Sequence, residues 1–106
     1  MSGPLTPAVF HILFALADGP LHGYAIMQAV AESAGSSFAT GPGTIYGSLQ
    51  RMEEEGLIRE VASKGDERRR LFALQPDGRR ALETESRRIL RLAQLVRAKR
   101  LVSGEA

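Results

Sequence analysis

The 106-residue sequence has no cysteine and no tryptophan. Without thiols it can hold no disulfide framework, no catalytic thiol and no thiolate metal site. Its two histidines, His11 and His22, have only Asp18 as an acid between them. That is a poor start for a metal site or for proton-transfer chemistry. A Ser/His/Asp arrangement can be drawn with Ser33 or Ser36, but nothing resembles a nucleophile turn. Gly41-Pro42-Gly43 lacks the lysine and preceding strand of a phosphate-cradling loop. No enzyme, metal or cofactor is therefore expected. The longest unbroken apolar run, Ile12 to Ala17, is far short of the ~18 residues a membrane span needs. No basic segment precedes it, so the expectation is a soluble, cytoplasmic protein without a signal peptide or membrane partner.

The most informative scarcity is one of positive charge. The first 50 residues contain no Lys or Arg and only two charges, Asp18 and Glu32. All fourteen basic residues fall between Arg51 and Arg100, alongside nine of the twelve acids. A basic half beside a nearly uncharged half suggests that one region meets a polyanion while the other builds the core. A solvated helix surface would explain the same charges equally well. Hydrophobic residues at 43% and charged residues at 25% are ordinary globular values, and the length suits one domain of ~100–150 residues.

Thr6-Pro7 has the form of a helix start, a capping hydroxyl followed by proline at the first helical position. Leu5, Val9, Ile12, Leu13 and Leu16 then recur at helical spacing, and Asp18-Gly19-Pro20 ends the helix. A second helix is expected from about His22 to Ala34. A third starts at Gly41-Pro42-Gly43-Thr44 and stops at Gly56, a left-handed terminator. Glu53, Glu54 and Glu55 sit at the wrong end of that helix for its dipole and need solvent or a positive neighbour. Leu57–Val61 and Arg70–Leu74 read as two short strands around a polar hairpin tip, Ser63 to Arg68. Pro76 then opens a long helix reaching about Val102, ~40 Å at 1.5 Å per residue. The resulting division is 1–75, a winged-helix domain; 76–102, a C-terminal dimerisation helix; and 103–106, a frayed tail.

This fold class, mainly α with a small β-hairpin, has the element order of a winged helix-turn-helix. In that architecture the third helix enters the DNA major groove and the hairpin reaches the flanking backbone. On a helical wheel Ile45, Leu49 and Met52 form a buried stripe. Opposite lie Gly43, Thr44, Gly47, Gln50 and Arg51, with Tyr46 and Ser48 on the flanks. Small residues allow close approach to DNA, and Gln and Arg can bond base edges in pairs. A merely polar, solvated face is the competing explanation. Against it, each exposed glycine costs a helix interior up to ~1 kcal/mol. Lys64, Arg68, Arg69 and Arg70 cluster at the hairpin and suit phosphate contact, although a solubilising hairpin would also carry them. On the last helix Leu82, Ile89, Leu92 and Val96 form a stripe too long for one small body to cover. A homodimer placing two reading helices ~34–36 Å apart is the expected cover, the alternative being a monomer whose helix folds back on its own wing.

Leu21-His22-Gly23-Tyr24, Gly43-Thr44-Ile45-Tyr46, Leu49 to Ile58 and Arg69 to Leu74 together resemble the PadR family of bacterial transcriptional regulators, in register over residues ~5–82. The resemblance implies a winged-helix repressor of double-stranded DNA, dimeric through its C-terminal helix and often released by a small-molecule effector or an environmental signal. It places Thr44, Tyr46 and Arg51 on the family's recognition helix and Arg69 and Arg70 on its basic wing strand. The chain departs from the family's usual pattern at Gly41, Phe72 and Gln75, where Ser, Tyr and Thr are usual. Relatives that bind flat aromatic drugs stack them on Trp, which this chain lacks. An alternative stays open, a winged helix used as a protein-interaction module; salt-dependent duplex binding separates the two.

Overall fold

The computed structural model describes residues 5–35, 42–61 and 70–102. Helix α1 spans Pro7–Ala15, and a 3₁₀ turn follows at Leu16–Asp18. Strand β1 is Leu21–His22, α2 Gly23–Ala34 and α3 Pro42–Glu54. Strands β2 (Ile58–Val61) and β3 (Leu71–Leu74) precede the last helix, α4, at Pro76–Ala98.

The local chemistry explains most of these boundaries. Thr6 caps α1, its Oγ1 accepting from the Val9 N–H at 3.3 Å, a contact worth about 1 kcal/mol. The helix tightens into 3₁₀ geometry for its last turn, a common ending. At the end of α3, Gly56 adopts φ 79°. Its N–H donates to Glu53 O at 3.1 Å, and the Leu57 N–H donates to Met52 O at 2.9 Å. These are the paired bonds of a Schellman stop. The Gly41 cap expected at the start of α3 lies outside the described residues.

Two features differ from the sequence reading. The sheet has three strands, in the order β1-β3-β2, all antiparallel. The added strand, β1, pairs Leu21 with Phe72 and His22 with Leu71; two residues are too short to show an alternating pattern. Helix α4 stops four residues early, at Ala98, because Arg100 turns into the left-handed region at φ 54°. Its 23 residues span about 35 Å.

One core joins every helix. Ile12 and Leu13 of α1 and Leu16 of the 3₁₀ turn pack with Ile26 and Val30 of α2, with Ile45, Leu49 and Met52 of α3, and with Leu57, Ile58, Phe72 and Leu82. The last of these corrects an expectation. Leu82 is only 5% exposed and belongs to the protomer's own core, so it is not open to a second chain. The start of α4 is held as closely. Leu57 O accepts the Gln75 N–H at 2.9 Å, and a methyl group at Gly78 would lie 2.0 Å from that same oxygen. Arg79 reaches across to Ala17 O at 3.1 Å. Beyond Glu85 no described residue of α4 is buried, and the molecule measures 51 × 27 × 21 Å.

Candidate nucleic-acid interface

Helix α3 divides sharply into two faces. Ile45, Leu49 and Met52 are at most 2% exposed. Ser48, expected on the flank, is buried with them, because a small side chain on the edge of the stripe lets α3 settle deeper into the core. Gly43, Thr44, Tyr46, Gln50 and Arg51 are exposed and Gly47 is half-buried. A Cβ added at Gly47 would meet nothing within 4 Å, so the molecule itself has no need of a glycine there.

Tyr46 leans from this face towards the start of α2. A methyl group at Gly23 would lie 2.8 Å from its hydroxyl oxygen, so Gly23 is what lets the ring approach. Tyr46, Gly23, His22, Tyr24, Arg70 and Phe72 line a recess of about 390 Å³. Tyr24 stands at the rim, its hydroxyl accepting from Gln28 Nε2 at 3.3 Å.

Arg70 is placed differently from a free surface cation. Its Nη2 donates to Glu60 Oε1 at 3.0 Å and to Glu53 Oε1 at 3.3 Å, and its guanidinium lies 5.0 Å from the centre of the Phe72 ring. The Glu60 hydrogen bond leads the causes that raise its pKa above the ordinary arginine value. The pairing also answers the question of Glu53 at the wrong end of α3: its positive neighbour is Arg70. Sequence reasoning missed this, since the partners lie 17 and 10 residues away. Lys64, Arg68 and Arg69, the other wing cations, lie outside the described residues.

Elsewhere, His11 Nδ1 meets Ser33 Oγ at 2.7 Å and so links α1 to α2. His22 lies on β1, across the sheet from Leu71. Among the described residues no group of three His, Cys, Asp or Glu side chains could hold a metal ion. No helix there is long and apolar enough to cross a membrane. On α4, Ile89 and Leu92 are 41% and 55% exposed and Val96 is half-buried. These three line a shallow apolar groove with Ala93 and Val102.

Residues 12–84 match the model of the transcriptional regulator PadR-like family. Over 81 residues the chain is 40% identical to the transcriptional regulator Rv3488 of Mycobacterium tuberculosis, covering 76% of this chain and 72% of that protein. Over 82 residues, 77% of the chain, it is 48% identical to an uncharacterised 37.1 kDa protein of transposon TN4556 from Streptomyces fradiae, but spans only 23% of that protein's length. Among solved structures, Bacillus subtilis PadR in complex with operator DNA superposes with a TM-score of 0.66 at 24% identity, covering 77% of this chain and 46% of the other. At that identity the likeness speaks for the winged-helix fold.

Proposed function

The chain belongs to the PadR-like family of transcriptional regulators, and from that premise we propose that it is a dimeric repressor that reads a pseudo-palindromic operator with α3. The observation that carries this reading is the outward face of α3. Open space surrounds Gly47, and Thr44, Gln50 and Arg51 stand exposed around it. A helix without a side chain at its centre can sit close to the groove floor, while Gln and Arg at its margin bond base edges. Tyr46 flanks the same surface, and Lys64, Arg68 and Arg69 are assigned to backbone phosphates. The solved structure of Bacillus subtilis PadR in complex with operator DNA supports a DNA-binding role by analogy of fold.

The dimer rests on α4. Its exposed half offers Ile89, Leu92 and Val96 as an apolar strip that one body leaves uncovered. A two-fold partner helix is the simplest cover, and it supplies the second reading helix that a pseudo-palindrome requires.

The test is duplex binding across a salt series, using DNA that flanks the chain's own gene. Phosphate neutralisation gives a log–log slope of about −0.9 per contact, and a footprint with two-fold symmetry is expected. Absence of any retardation at low salt would overturn the proposal in favour of a protein-binding winged helix.

A further inference from the structure

We infer that Arg70 is a positioning residue, a clasp that fixes the angle between the wing and the reading helix, and not a phosphate contact. The inference rests on the DNA-binding reading above and assigns Arg70 a different task within it.

Three observations converge on this residue. The guanidinium bridges two elements, with Glu53 in the last turn of α3 on one side and Glu60 of β2 on the other. It also has a fixed seat. Phe72, whose ring lies beneath it, is 1% exposed and sits on the central strand of the sheet. Glu60 pairs directly across from Phe72, so both point to one face of the sheet. Arg70 lies two residues before Phe72 and shares that face. One side chain thus ties α3, β2 and β3 together where the chain enters and leaves the wing. It also borders the recess lined by Tyr46, a proposed DNA-facing ring.

The charge balance argues in the same direction. Two carboxylates already face this one cation, and reaching a phosphate would leave both of them unpaired beside a polyanion. Pairs this exposed add little to global stability. Both bonds leave one nitrogen, Nη2, so what a lysine cannot reproduce is the planar guanidinium lying over Phe72 while that nitrogen reaches both carboxylates.

The experiment measures wild type, Arg70→Lys, Arg70→Gln, Glu53→Gln and the double variant Arg70→Gln/Glu53→Gln on a random-sequence duplex and on gene-flanking DNA. Affinity is read over a salt series, and thermal midpoints confirm folding. The clasp predicts that Arg70→Lys, with its charge intact, loses several-fold in affinity at an unchanged salt slope. Glu53→Gln weakens binding although it removes a negative charge, and the double variant is no worse than Arg70→Gln alone. In the DNA-free protein, backbone amides of β2 and β3 exchange several-fold faster in Arg70→Gln. A phosphate contact predicts the opposite: Arg70→Lys binds as wild type, Arg70→Gln flattens the slope by about one unit, and Glu53→Gln binds more tightly. That pattern, or unchanged strand exchange, overturns the clasp. If the wild type binds neither duplex, the repressor reading fails while the exchange measurement still decides the clasp.

Discussion

Gly78 in α4 and Gly47 in α3 both occupy helices, where glycine costs up to ~1 kcal/mol against alanine, yet their surroundings are opposite. A methyl group at Gly78 would fall 2.0 Å from Leu57 O, whereas one at Gly47 would meet nothing within 4 Å. The first glycine is explained inside the molecule, because α4 begins pressed against the backbone that leaves α3. The second has no internal reason, and a molecule outside the chain supplies the simplest one. The same division runs along α4. Its first turns bury Gly78, Leu82 and Glu85, while its second half leaves Ile89, Leu92 and Leu95 exposed.

Gly78→Val tests the internal side of this contrast and should have the largest effect. Steric conflict with a backbone carbonyl cannot be relieved by a rotamer change, so a loss of about 3 kcal/mol is expected, with a fall in melting temperature above ~10 °C. A Gly78→Val protein as stable as the native one would mean that α4 shifts freely on the body. Leu92→Glu tests the exposed half of α4. It should leave the body folded and cost the dimer about 3 kcal/mol or more by burying an unpaired charge. Light scattering should report a dimer for wild type and a monomer for the variant. A wild type at monomer mass would remove the proposed role of the apolar strip.

A smaller effect is expected from Gly47→Leu. Folding should be unchanged or slightly improved, while duplex affinity falls about tenfold, ~1.4 kcal/mol. Native affinity in the folded variant would make this arc a solvent face and erase the contrast between the two glycines. The smallest effect concerns pH at the join between the two halves of α4. Arg88 donates to Glu85 at 2.6 Å and 3.3 Å, and that hydrogen bonding lowers the Glu85 pKa below its ordinary value. A depressed carboxylate stabilises the fold above the unfolded-state pKa and loses that contribution as pH falls through the folded one. Glu85→Gln should therefore flatten the acid limb of the stability profile and change little at neutral pH.

Much of this architecture was legible because its signals are local. The Thr6 cap, the Gly56 stop, the two wing strands and the buried stripe of Ile45, Leu49 and Met52 each follow from a few adjacent or periodic residues. The rest depends on what meets what in space. Leu82 and Ile89 lie on one helical stripe, and periodicity cannot say that the body covers the first and leaves the second exposed. Ser48 and Gly78 owe their places to close packing between distant segments. Arg70 carries the same positive sign as its neighbours in sequence, and only the fold gives it two carboxylates. For the candidate site, the outward face of α3 was readable from the sequence, but the coupling of that face to the wing was not.

The position of β3 at the centre of the sheet sets a sequence of events for the folding chain. Its pairing with β2 closes a loop of about ten residues, whereas its pairing with β1 joins Leu21 to Phe72, about fifty residues apart. Loop closure costs about 1.4 kcal/mol more in the second case. The hairpin can form within microseconds, and β1, with the costlier closure, is expected to pair after it. A side chain that docks so late belongs to the unfolding barrier. Leu21→Ala should accordingly speed unfolding in a stopped-flow chevron and leave the refolding limb nearly unmoved. A slowed refolding limb would instead place β1 in the nucleus.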